Sequence, residues 1–245
     1  MSSMLSGENI TKRYGGLVAL DDVSFEVEEG VICGLVGPNG AGKTTLLNIL
    51  TGREEAKAGR VVFDGEGITG LPPDQICRRG LVKTNQIVRP FGNMTVTENI
   101  AVAAVWGDSE ISNMAAATEK AEELVDFVGL EEFATAPAGR LTHTPNRRLE
   151  LARALATNPQ MLLLDEAAAG LTSEEIPPFL AIIRSIRDDL GVTLFWIEHV
   201  MEAVMDVADQ VVVLNFGEII AKGTPEEVTS DEDVQKAYLG GGVDA

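Results

Sequence analysis

The sequence predicts an α/β fold: a mixed β-sheet core with an antiparallel N-terminal part, interrupted by a helical insertion. Three observations predict it. Nearly continuous apolar runs at residues 31–36, 161–164 and 192–197 read as buried strands. A glycine-rich loop over residues 37–42 joins the first of these runs to a helix-like stretch. Between about residues 88 and 158 strand patterns give way to helical periodicity.

Taken in order, residues 8–11, 23–27 and 31–36 form short strand patterns separated by Gly15-Gly16 and Glu28-Glu29-Gly30 turns. Residues 59–65 read as another strand ending in a turn, and residues 78–86 as a short buried strand entering a loop. Helices are expected over 96–105, 115–128 and 147–156, and Asn158-Pro159 stops that block. The strands at 161–164 and 192–197 flank a helix. Thr172-Ser173-Glu174-Glu175 has the pattern of a capping box for it, and Pro177-Pro178 limit the regularity of its first turn. Residues 211–214 and 218–221 form a hairpin around Asn215-Phe216-Gly217. Thr224-Pro225-Glu226-Glu227 then combines a capping box with proline at the first helical position, and a last helix covers 231–239. The expectation is one domain over residues 1–245, with residues 88–158 as an inserted helical subdomain.

The chain carries 38 acidic and 19 basic residues, a net charge of −19. Such a field repels nucleic acid and anionic lipid surfaces. The acids are spread along the chain, which fits either a high-salt cytoplasm or an ordinary acidic cytosolic protein. No apolar run reaches about eighteen residues, so no membrane-spanning helix is expected. The N-terminus has no basic region leading into an apolar stretch, and no secretory signal is expected. Cys33 and Cys77 are isolated and lack metal-type spacing, which points to a reduced, intracellular setting.

Residues 37–45 read Gly37-Pro38-Asn39-Gly40-Ala41-Gly42-Lys43-Thr44-Thr45, a complete G-x-x-x-x-G-K-[ST] phosphate loop between strand and helix. Glycines let successive N–H groups curl around phosphates, and the helix start adds its positive dipole end. Lys43 can place its ammonium on the β- and γ-phosphates, and the Thr44 hydroxyl can take one Mg²⁺ position. A metal and water partner is supplied by the apolar strand 161–164, which ends in Asp165-Glu166. Asp165 would hold Mg²⁺, commonly through water, and Glu166 would polarise the attacking water as general base. A second buried strand ends in Glu198-His199, where a histidine can reach the γ-phosphate or serve structurally. Gln86 follows a strand and can touch the metal or the water. Tyr14, in Lys12-Arg13-Tyr14-Gly15-Gly16, either offers its ring to adenine or is a surface turn residue.

Together these residues resemble the ATP-binding subunits of ABC transporters over nearly the whole chain. The resemblance implies that Tyr14 stacks on adenine and that residues 37–45 are the Walker A loop. It further implies that Gln86 is the Q-loop glutamine, Asp165 and Glu166 the Walker B pair, and His199 the switch histidine at the γ-phosphate. ATP and Mg²⁺ follow as ligands. The implied partners are transmembrane permease subunits, a second ATP-binding subunit and a solute-binding protein, at the cytoplasmic face of the membrane. Residues 86–99, including Phe91 and Met94, are the candidate dock for a cytoplasmic helix of the permease. More narrowly, residues 93–100, 147–150, 168–171 and 237–240 resemble ATPases of branched-chain amino-acid importers. Lipopolysaccharide-export and urea-importer ATPases share parts of that pattern.

The departure lies in the signature motif. The family has Leu-Ser-x-Gly-Gln before Arg147-Arg148-Leu149-Glu150, whereas this chain has Leu141-Thr142-His143-Thr144-Pro145-Asn146. Thr144 adds a Cβ where backbone would approach a phosphate held by the opposing subunit, and Pro145 removes an N–H. As a helix start, Thr144 as N-cap followed by Pro145 is expected to be sound. His143 reads as a surface residue. Ala167 replaces the usual proline after Glu166. A heterodimer, whose partner supplies an intact signature, follows as the expected assembly. A regulatory, nonhydrolytic module is the rival reading.

Overall fold

The computed structural model describes residues 3–84, 89–198 and 201–239. The protein is α/β, with a four-stranded antiparallel sheet, a six-stranded mostly parallel sheet, and helices packed against the latter. Strands β1 (Ser3–Tyr14) and β2 (Leu17–Glu28) are longer than their sequence patterns and turn at Gly15-Gly16. β4 (Ala58–Phe63) pairs antiparallel with β1, and β5 (Glu66–Gly67) closes that sheet. The turn between β4 and β5 takes positive φ at both Asp64 and Gly65, the twist a tight hairpin needs.

The six-stranded sheet contains β3 (Ile32–Val36), β6 (Leu81–Lys83), β7 (Met161–Asp165), β8 (Thr193–Ile197), β9 (Gln210–Asn215) and β10 (Glu218–Gly223). Its order is β10-β9-β3-β8-β7-β6, parallel except for the terminal hairpin β9–β10. β3, β7 and β8 are buried at every position, which is why they read as unbroken apolar runs. Alternate side chains still point to opposite faces. Leu162, Leu164, Leu194 and Trp196 face one core, and Met161, Leu163, Phe195 and Ile197 the other.

The second of these cores is closed by α1 (Lys43–Leu50) and the antiparallel sheet, where Phe25 stacks on Phe195 at 5.5 Å. After β5 comes α2 (Pro73–Arg78), a helix with no counterpart in the sequence reading. The first core is closed by α3 (Val96–Gly107), α4 (Met114–Phe127), α5 (His143–Leu155) and α6 (Ile176–Asp188). Phe179 of α6 packs edge-on against Trp196 at 6.5 Å. A Thr95–Glu98 capping box starts α3 and Asn113 caps α4. Within α3 the buried Asn99 amide binds Phe91 through both its oxygen and its nitrogen, fixing residues 91–95. Past β8 lie α7 (Met201–Met205), α8 (Pro225–Ser230) and α9 (Glu232–Leu239). Thr224 and Glu227 form the capping box of α8 that their spacing predicts.

Two helix starts differ from expectation. Helix α5 begins at His143 with Thr142 as N-cap, so Thr144 and Pro145 lie inside its first turn. Proline is tolerated there because first-turn N–H groups have no intrahelical acceptor. Helix α6 begins at Ile176, and Glu175 reaches back to the Thr172 N–H while the Thr172 hydroxyl donates to Glu175 rather than capping it.

Trp196 is fully buried, yet its indole Nε1 has no hydrogen-bond partner among the described residues. Trp196→Phe loses apolar contact but also removes that unsatisfied donor, so it is expected to cost less than truncation of its neighbour Phe179. Phe179→Ala should cost about 3–5 kcal/mol by leaving a cavity against the indole. Equilibrium urea unfolding of the two variants checks the ordering.

Candidate functional site

Strand β3 feeds directly into the phosphate loop, and α1 starts at Lys43. Gly42 is the N-cap of α1 at φ 108°, and a Cβ there would lie 2.6 Å from the Ala19 carbonyl oxygen. At Gly37 a Cβ would lie 2.0 Å from the Leu214 carbonyl oxygen. Only glycine allows these backbone approaches. No side chain caps α1 and its first turn holds no acid, so its leading N–H groups are left for an anion.

Lys43 is 7% exposed, and its ammonium donates to the Gly37 carbonyl at 2.6 Å and the Pro38 carbonyl at 3.0 Å. Burial pulls its pKa below the usual lysine value, against the opposing pull of the Glu166 and Glu198 carboxylates. A cavity of about 290 Å³ is lined by Tyr14, Leu17, Asn39, Gly40, Lys43, Thr44, Thr45 and Glu166, among others. The structure therefore brings Tyr14, the phosphate loop and Glu166 to one place. The Tyr14 hydroxyl donates to Glu54, which also accepts from Asn48 at 2.9 Å and pairs with Lys12 at 3.2 Å. Glu54 beside it raises the phenol pKa, and the Tyr14 hydrogen bond lowers that of Glu54. This hydroxyl anchor leaves the ring half-exposed at the cavity.

Asp165 ends β7, is buried, and pairs with Lys83 Nζ at 2.8 Å. Its N–H donates to the Thr84 hydroxyl at 3.3 Å. Glu166 follows at φ 48°, an uncommon conformation for a residue with a side chain, with its N–H on the Ile197 carbonyl at 2.9 Å. The chain thus turns sharply between the two carboxylates, leaving Asp165 packed at the strand end and Glu166 in the cavity. Glu198, fully buried, accepts the Ala168 N–H at 2.9 Å and so ties the end of β8 to the turn after Glu166. Gln86 and His199 lie outside the described residues.

Lys83 and Glu198 belong to this site, although the sequence marked Glu198 only as a strand end and did not single out Lys83. The available signal was a charged residue at the end of a buried strand beside a recognised motif. The hydroxyl of Thr44 and the carboxylate of Asp165 are hard oxygen donors, the type Mg²⁺ takes. No group of three or more acidic, histidine or cysteine side chains poised to hold a metal occurs among the described residues. Two such protein oxygens fit an ion that takes its remaining ligands from phosphate and water.

The segment at 141–146 has its own contacts. Thr144 donates its hydroxyl to Glu175 at 2.5 Å, and Glu175 also accepts from the Thr172 N–H at 2.9 Å. These bonds, Thr144 first, hold the Glu175 carboxyl below its usual range. His143 is exposed, as expected, and its ring lies over Gly170, where a Cβ would sit 3.1 Å from Cε1.

Known proteins share this architecture and part of its sequence. The family model described as ABC transporter matches residues 20–169, and one described as branched-chain amino acid ATP-binding cassette transporter matches residues 218–244. The high-affinity branched-chain amino acid transport ATP-binding protein BraF of Pseudomonas aeruginosa is 42% identical, over 97% of this chain and 98% of that protein. The lipopolysaccharide export system ATP-binding protein LptB of Haemophilus influenzae is 37% identical, again over 97% of this chain and 98% of its own. The ADP conformation of MJ1267, an ATP-binding cassette of an ABC transporter, superposes with a TM-score of 0.89 at 32% identity, covering 98% of this chain and all of that one. With the family model spanning more than half its length, the chain belongs to the ABC transporter family, as one of its ATP-hydrolysing cassette subunits.

Proposed function

We propose that this subunit hydrolyses ATP to drive uptake of a small solute, a branched-chain amino acid, through transmembrane permease partners. The observation that carries the ATPase reading is the single cavity shared by Lys43, Thr44 and Glu166. The substrate reading rests on the C-terminal match over residues 218–244 and on the BraF relative. Likeness to LptB supports lipopolysaccharide export as the second reading. A net charge of −19 disfavours a nucleic-acid partner.

In the proposed mechanism the loop N–H groups and the start of α1 take up the phosphates. Lys43 exchanges its bonds to the Gly37 and Pro38 carbonyls for phosphate oxygens. Tyr14 presents its ring to adenine, and Glu166 polarises water for attack on the γ-phosphorus. Thr44 and Asp165 are the residues that would hold Mg²⁺, which when bound neutralises phosphate charge. Gln86 and His199 are assigned to the metal or water and to the γ-phosphate by family resemblance. Residues 88–158 would act as the helical subdomain, with half-exposed Phe91 and neighbouring Met94 at the permease dock on the cytoplasmic face of the membrane.

Segment 141–146 directs the assembly. With the Thr144 hydroxyl engaged by Glu175 and no N–H at Pro145, it is a poor donor set for a partner's nucleotide. A heterodimer therefore follows, in which this chain's own loop is completed by an intact signature on the partner.

Glu166→Gln should keep ATP binding while lowering turnover at least about a hundredfold; unchanged hydrolysis would remove Glu166 from the role of base. Gly42→Ala should weaken ATP binding by forcing the loop away from Ala19, as equilibrium nucleotide titration would register. ATPase activity of the chain alone is expected to be low and to rise with the paired subunit. Full-speed hydrolysis by the isolated chain overturns the heterodimer. Leucine-stimulated turnover of the assembled transporter in liposomes, with no response to lipopolysaccharide, supports the amino-acid reading over export.

A further inference from the structure

Lys83 is the last residue of β6, the edge strand beside β7. Its register partner on β7 is Leu163, so Asp165 lies two positions further on, with its side chain on the same side of the sheet. The lysine stem spans that offset and puts Nζ 2.8 Å from Asp165 Oδ2, with both side chains only 8% exposed. The next residue holds the same aspartate by its backbone. The Thr84 N–H continues the ladder to the Leu163 carbonyl at 2.9 Å, and the Thr84 hydroxyl accepts the Asp165 N–H. Residues 83 and 84 thus grip both the charge and the main chain of Asp165.

The phosphate-loop lysine does not duplicate this contact, since its hydrogen bonds go to the Gly37 and Pro38 carbonyls. A buried carboxylate needs a counter-charge, and Lys83 supplies it in direct contact. A divalent cation drawn to the same carboxylate meets that ammonium as a like charge and finds Oδ2 already engaged. By linkage, whatever the ammonium takes from metal affinity the metal takes from the ammonium's hold.

We propose that Lys83 is a positioning residue for the metal step, orienting Asp165 and, by competing for its carboxylate, setting how tightly the site takes a divalent cation. This rests on the ATP and Mg²⁺ reading above.

Mn²⁺ binding in the presence of a nonhydrolysable ATP analogue, followed by electron paramagnetic resonance, tests it with thermal melts as a companion measurement. Lys83→Met should bind Mn²⁺ about tenfold more tightly than the unaltered chain. It should also melt lower without metal and gain more from metal than the unaltered chain does. Lys83→Arg, which keeps the charge, should restore Mn²⁺ affinity to near its original value. An unchanged or weaker Mn²⁺ affinity in Lys83→Met, even with a lower melting temperature, makes the pair merely structural and overturns the proposal. Should Lys83→Met fail to fold, Lys83→Gln carries the same expectation, and failure of both variants to fold also overturns it. No Mn²⁺ binding by the unaltered chain would sink the ATP and Mg²⁺ reading itself, and this proposal with it.

Discussion

Everything at the site depends on burying the parallel sheet on both faces. Inside β3, β7 and β8 there is no water to meet a polar side chain, so their interiors are apolar and the chemistry appears where they end. Parallel strands bring those ends to one edge, the usual place for ligands in open α/β sheets. The register does this concretely: Leu35 and Asp165 both pair with Ile197 of β8. One or two residues past that row lie the start of the phosphate loop, Glu166 and Glu198.

The edge holds a dense set of charges for a place with so little water. Lys43, Lys83, Asp165 and Glu198 are buried or nearly so, and Glu166 is half-buried. Isolated, such charges would be expensive; arranged with opposite charges and backbone groups around them, they are tolerated and held in defined geometry. Lys83 faces Asp165, Glu198 takes a backbone N–H, and Lys43 lies on two carbonyls. The same arrangement makes the edge responsive to added charge, because an incoming phosphate or cation competes with contacts already made.

Legibility of the sequence varied with the physical origin of each feature. The phosphate loop was readable because backbone geometry restricts its residue types, and Gly42 could not carry a side chain beside Ala19. The Thr224 capping box was readable because it is local and satisfied within one turn. The start of α5 was misplaced for a tertiary reason: the Thr144 hydroxyl, a plausible cap on local grounds, is recruited by Glu175, thirty-one residues away along the chain. The capping box before α6 forms only in part: Glu175 accepts the Thr172 N–H, while the Thr172 hydroxyl donates to the same carboxylate oxygen. Gln86 and His199 fall outside the described residues, so their assignment stays with family resemblance.

By itself the sequence determined the α/β class, the glycine-rich loop between β3 and α1, and the carboxylate pair at the end of β7. These are features whose residue types are dictated by local backbone conformation, burial period or a short motif. Only the tertiary structure decided that Lys83 is the counter-ion of Asp165, that Glu198 braces the turn after Glu166, and that Glu54 anchors Tyr14. Each of those pairs joins residues dozens of positions apart. No local pattern encodes such a pairing; it arises when strand order and register bring buried charges and hydroxyls within reach of one another.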